Sequence, residues 1–236
     1  MSTHTVNHEL PQWLWLWLVV FLLAIQFAAR FVSPEFSAMY MEGEYGLMEN
    51  LTVVILVIAL FIGISIIKNH KVLQSSYLTA WYSLLILGCF YFAGEEASWG
   101  QHWLGWDTPD EFKKLNDQEE TNLHNMSSWL DQKPRTLIEI AAIIGGVIMP
   151  VYWRIKNRFP KAGTWQAYFW PTWVCVPVSI IIGTIKLPDR LIGSENIPNP
   201  FDLNVSEAQE VFVAMAFLIY FSSVAVRMKR QKRDLM

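Results

Sequence analysis

An all-α fold, a polytopic bundle of about six membrane helices forming a single domain over residues 1–236, is predicted by three observations. The chain is 53% hydrophobic and only 17% charged, against roughly 25% charged in an average soluble domain. Its apolar residues fall in stretches of about 20, the length a helix needs to cross about 30 Å of hydrocarbon. The charges between those stretches are segregated by sign.

The spans are read at about 13–32, 47–67, 77–97, 137–153, 166–185 and 209–226. The first opens Trp13-Leu-Trp-Leu-Trp, an interfacial tryptophan belt, and Ser33-Pro34 ends it. It lacks a basic leading region and a small-x-small cleavage site, so it is expected to stay as a helix. The second span begins with Glu49, Asn50 and Thr52, and Lys68 and Lys71 bracket the turn that follows, with His70 as a solvated loop residue. The third runs into Gly94-Glu95-Glu96-Ala97-Ser98-Trp99-Gly100-Gln101-His102-Trp103. If that helix continues to Trp103, then Glu95, Ser98, Trp99 and His102 share one face, and Glu96 points about 100° away.

The loop of about 98–136 is the longest connection, and connections of that length are often functional or separately structured. Within it Thr108-Pro109-Asp110-Glu111 reads as a helix start. Phe112 and Leu115 would give that short helix an apolar side, placing it on the membrane surface. The polar run from Asn116 to Asn125 follows. Thr136-Leu-Ile-Glu139 reads as a capping box opening the short fourth span. Pro171 and Pro177 should kink the fifth or leave carbonyls free for a partner. Ser206-Glu-Ala-Gln209 is expected to cap the sixth. Cys89 and Cys175 both fall inside spans, which excludes a disulfide framework or a cysteine metal site.

Six spans put both termini and the second and fourth loops on one side, which carries 11 Lys and Arg and only Glu9 and Asp234 as acids. The other side carries six Lys and Arg against 14 acids. The basic side is therefore expected to be cytoplasmic, with both termini inside. Arg30 disagrees locally and is read as snorkelling. The short juxtamembrane basic clusters are explained by topology, so no nucleic-acid partner is expected. Membrane lipids, and a second membrane protein, are the expected partners.

Five acids lie within spans, Glu49, Glu95, Glu96, Glu139 and Glu210, all near the outer end. Glu139, Glu207 and Glu210 have a structural reading, as first-turn acids facing the positive end of a helix dipole, and Glu49 shares it in part. Glu95 and Glu96 do not. They lie toward the C-terminal end of an outgoing helix, where the dipole repels carboxylates and adjacent acids repel each other. Ionisable residues inside a span are functional candidates by default.

Glu95, Glu96 and His124 are thus the candidate catalytic residues, acting as general acid and base or around a divalent metal ion. Glu95, Glu96, His102 and His124 are the candidate metal ligands, a carboxylate and imidazole set suited to zinc, manganese or iron. Trp99, Gln101, Asn122, Asn125, Lys186 and Arg190 are the candidate substrate-binding residues, with Arg135 a further candidate partner of the acids. The expected reaction is hydrolysis or group transfer on a lipid or amphiphilic substrate. The alternative is a non-catalytic membrane subunit that binds a cation or a partner protein through the acidic face. Acids clustered at one end rather than at mid-depth argue against a pump or channel.

The run Glu95-Glu-Ala-Ser-Trp-Gly-Gln101, then Thr108-Pro109, then Thr121-Asn-Leu-His-Asn125, resembles a group of uncharacterised bacterial multi-pass membrane proteins. Their shared pattern is E-E-x-S-W-G-Q, T-P and N-L-H-N. The resemblance implies a bacterial multi-pass protein, and hence the plasma (inner) membrane, with its site at those positions, and implies no reaction. A weaker resemblance is to the CPBP glutamate intramembrane proteases, which carry E-E-x-x-x-R followed by histidine motifs on later helices. Glu95 and Glu96 match that pattern, but Gly100 stands where the arginine would be and no histidine follows His124.

Overall fold

The computed structural model describes residues 9–37, 46–113, 128–187 and 205–234. Among them all regular structure is helical, and six helices are long and apolar enough to cross a membrane. These are α1 (Trp13–Val32), α2 (Leu47–Lys68), α3 (Ser76–Glu96), α4 (Lys133–Lys156), α5 (Trp165–Thr184) and α6 (Glu207–Asp234). As the sequence predicts, α1 stops at an extended Ser33 before Pro34. Trp13 and Trp17 are exposed, whereas Trp15 between them is buried.

The bundle is built around α6. Of its apolar window 67% is buried, against 39% or less in each other span. Phe212, Ile219, Phe221 and Val224 are completely covered, α2 packs along α6, and α3 packs along α2. Gly63 on α2 makes both contacts close: a methyl there would lie 2.8 Å from Ile86 and 3.0 Å from Phe221. Small residues serve this purpose in membranes, where dispersion contacts rather than water exclusion hold helices together. The second close contact joins α4 to α5. A π-helical stretch, Ala142–Ile148, carries Gly146 against Ser179, with no room for a side chain between them.

The fifth span is discontinuous. Its first part, Trp165–Phe169, ends at an extended Trp170, and helix resumes at Val176–Thr184 after a short 3-10 turn. Pro171 sits in the break, and Pro177 occupies the first turn of the second part, where its missing N–H is harmless.

Three expectations are corrected. The third helix does not run on to Trp103. It ends at Glu96, and Ser98, Trp99 and Gly100 are all left-handed (φ 42°, 56° and 99°) before a short helix Gln101–Leu104. The Thr136 capping box does not form, because helix is already present from Ser128, through Pro134. An ion pair between Arg135 and Glu210 ties down the stretch ahead of Thr136 and outweighs the local cap preference. Ser206 is likewise inside a helix that is already formed at Val205. The loop helix is found at Asp110–Lys113.

Candidate functional site

Glu95 and Glu96 are adjacent in sequence, and both are buried, 2% and 6% exposed. They serve different surroundings. Glu95 Oε1 accepts a 2.8 Å hydrogen bond from the indole N–H of Trp99, and the Tyr91 phenol, one turn earlier, bonds the same carboxyl. The left-handed turn folds the Trp99 ring back along α3. Its atoms would come within 2.8 Å of a methyl at Gly94, and its edge meets Phe90 and Tyr91 with centroids 6.0 and 6.2 Å away. The chemistry thus depends on glycine at two places: Gly94 leaves room for the ring, and Gly100 adopts the positive φ that returns the chain. Ser98 and Trp99 hold the same region of backbone at a cost of about 1–2 kcal/mol each.

Glu96 faces the bundle. The charges that act on it most strongly are those of Glu210, Glu49, Arg135 and Glu207. They come from the starts of α2 and α6 and from α4, so four separate helices, α3 included, converge. Arg135 Nη2 bonds Glu210 Oε1 at 2.6 Å. One residue away on α6 the buried Gln209 donates to Glu139 Oε1 (2.8 Å) and to the carbonyl of Ile182 (3.0 Å). Lys186 Nζ approaches the same Glu139 oxygen at 3.9 Å. Five carboxyl groups therefore gather near two cations, Arg135 and Lys186, at one end of the bundle. Glu139 and Glu210 turn out to bridge helices rather than to cap them.

The remaining predicted residues are distributed as follows. Gln101 donates to Thr108 Oγ1 at 2.7 Å and so pins the following loop. Lys186 is directed to Glu139. His102 lies on the short helix Gln101–Leu104. Asn122, His124, Asn125 and Arg190 lie outside the described residues. Among the described residues no three His, Cys, Asp or Glu side chains come together as a metal ligand set. The glutamates around Glu96 are within electrostatic reach of one another without forming a coordination shell.

A second polar network, which the sequence reading did not anticipate, lies at the opposite end. Glu9 Oε2 accepts from Thr172 Oγ1 (2.8 Å) and Ser223 Oγ, and lies 3.6 Å from Arg227 Nε. Arg227 also donates to the carbonyl of Ala167 and, at 3.5 Å, of Trp170. Tyr82 donates to Tyr168 O at 2.6 Å and Tyr220 to Phe169 O at 2.6 Å. Four carbonyls left by the break at Pro171 thus find donors, as the two prolines suggested. The signal was present in the sequence: Ser223 and Arg227 are four residues apart on one helix, facing a span interrupted by proline.

Comparison with family models, with curated proteins and with solved structures finds no match for this chain.

Proposed function

We propose that this is a multi-pass protein of a bacterial inner membrane, with both termini in the cytoplasm, that binds a cation at the extracytoplasmic end of its helix bundle. The observation that carries this reading is the charge around Glu96. Among the described residues Glu49, Glu207 and Glu210 add negative charge around this buried carboxyl and Arg135 adds positive charge. Gathering several buried carboxyls at one place is costly, and an added positive group would lower that cost. An all-carboxylate environment suits a hard divalent ion such as magnesium or calcium. An imidazole from His102 or His124 would move the preference to zinc, manganese or iron. A basic side chain of a partner membrane protein would satisfy the same charge. Thermal unfolding of the purified protein, titrated with magnesium, calcium, zinc and ethylammonium, tests it. Saturable stabilisation of the wild type by at least one of them, lost in Glu96→Gln, is expected. A wild type indifferent to all four would sink the reading.

One observation favours a second reading, an enzyme acting on an amphiphilic substrate. Strained backbone gathers at active sites and ligand clamps, and here two strained residues hold an indole N–H on Glu95. In that reading Glu95 is the general base, His124 belongs to the other half of the site, and the reaction is hydrolysis or group transfer. Glu95→Gln would then abolish turnover and leave cation binding intact, whereas Glu96→Gln would remove both.

A further inference from the structure

The turn between α2 and α3 borders an open surface groove of about 570 Å³, lined by His70, Lys71, Gln74, Ser75, Ser76, Thr79, Ala80 and Ser83. It lies at the basic end, opposite Glu96, and takes no part in the function proposed above. Its lining contains a lysine, an imidazole, an amide and four hydroxyls, and no carboxylate. In a chain with more acids than bases, a groove with this lining selects for negative charge.

The internal hydrogen bonds decide which groups can serve a ligand. His70 Nδ1 lies 3.0 Å from the carbonyl of Ile67. A carbonyl only accepts, so Nδ1 carries the proton and Nε2 is the ring atom left for a ligand, accepting from a glycerol hydroxyl in the neutral ring and donating to a phosphate only in the protonated one. Ser75 Oγ accepts from Leu78 N as the helix cap, which leaves its O–H to donate elsewhere. Thr79 Oγ1 donates to Ser75 O and is spent within the helix. The donors are therefore concentrated at the mouth, around Lys71, Ser75 and Ser76.

The shape decides between a small anion and an amphiphile. From Ser76 to Ser83 the lining follows α3 for seven residues, about 10 Å of rise, from the headgroup level into the span. Tyr77, Leu84 and Leu87 on the same helix are exposed, providing apolar surface for a chain beside the polar head. A free phosphate would fill only the mouth. We infer that this groove is a binding site for an anionic phospholipid, its phosphate held by Lys71 and the hydroxyls of Ser75 and Ser76, with its glycerol and first methylenes along α3.

The test uses the full chain purified in detergent, with lipid binding followed by native mass spectrometry and by thermal shift. Phosphatidylglycerol, phosphatidylcholine and inorganic phosphate are the probes. Phosphatidylglycerol is expected to bind and stabilise more than phosphatidylcholine, with no matching response to phosphate alone. Lys71→Gln should weaken phosphatidylglycerol about tenfold, the equivalent of one charge-assisted contact, and His70→Gln with Lys71→Gln should remove the headgroup preference. Lys161→Gln, an exposed lysine in the other connection at the same end, should change nothing. Equal losses from Lys71→Gln and Lys161→Gln would overturn the site in favour of general surface charge. An equal response to inorganic phosphate would overturn the lipid as its occupant.

Discussion

The two ends of the bundle both bury charged groups, and they balance them differently. At the Arg227 end one carboxylate meets one guanidinium, and two hydroxyls and several backbone carbonyls complete the set. That network fastens residue 9, the broken fifth span and α6 together. At the Glu96 end five carboxyls and two cations gather among the described residues. The first arrangement fastens helices together; the second is the one we propose takes a further positive group. The contrast separates a structural polar network from a candidate binding site without any appeal to residue type, since both contain glutamate and arginine.

Substitutions can break or sharpen that contrast. The largest effect is expected from Arg227→Ala, which leaves Glu9 without its cation and the carbonyls of Ala167 and Trp170 without their donor. Removing one partner of a buried pair destabilises by about 3–5 kcal/mol, to be read as a lowered midpoint in denaturant titration of the protein in micelles. Arg135→Ala removes the cation that opposes the glutamates and should destabilise by about 3 kcal/mol. Pairing it with Glu210→Gln should recover much of that loss, a recovery that a double-mutant cycle measures directly. Trp99→Phe keeps the ring over Gly94 and deletes the donor to Glu95, a loss of about 1–2 kcal/mol for one bond to a carboxyl group. It should leave the cation response of the Glu96 side unchanged, because the two carboxyls serve separate surroundings. The smallest effect is expected for Lys186→Met. Its 3.9 Å contact with Glu139 is partly exposed, and such pairs contribute less than about 1 kcal/mol.

The six spans were legible in the sequence because length and apolarity alone define them. The concentration of acids at one end was legible too, since it needs only topology and counting. The convergence of Glu49, Glu96, Glu207 and Glu210 on one place was not, because it depends on which helices are neighbours. Glu139 and Glu210 illustrate the gap. Their positions near helix starts suggested capping, and the structure uses them to reach Gln209 and Arg135 on other helices. Trp99 was placed beside Glu95 by assuming a continuous helix. The pair does meet, but through three left-handed residues, for which Gly94 and Gly100 were the available signs. The Glu9 network is not legible in the sequence because its members lie up to 218 positions apart and Arg227 begins a basic C-terminal run that topology alone would explain.

The most direct measurement is the sign of the stability change when each end loses one carboxyl in buffer stripped of divalent ions. Glu9→Gln removes a matched carboxylate and should lower the unfolding midpoint. Glu96→Gln removes a buried carboxyl from the acidic cluster and should raise it, while abolishing stabilisation by added cation. A Glu96→Gln protein that is destabilised as Glu9→Gln is, and still responds to cations as the wild type does, would contradict a cation site at the Glu96 end.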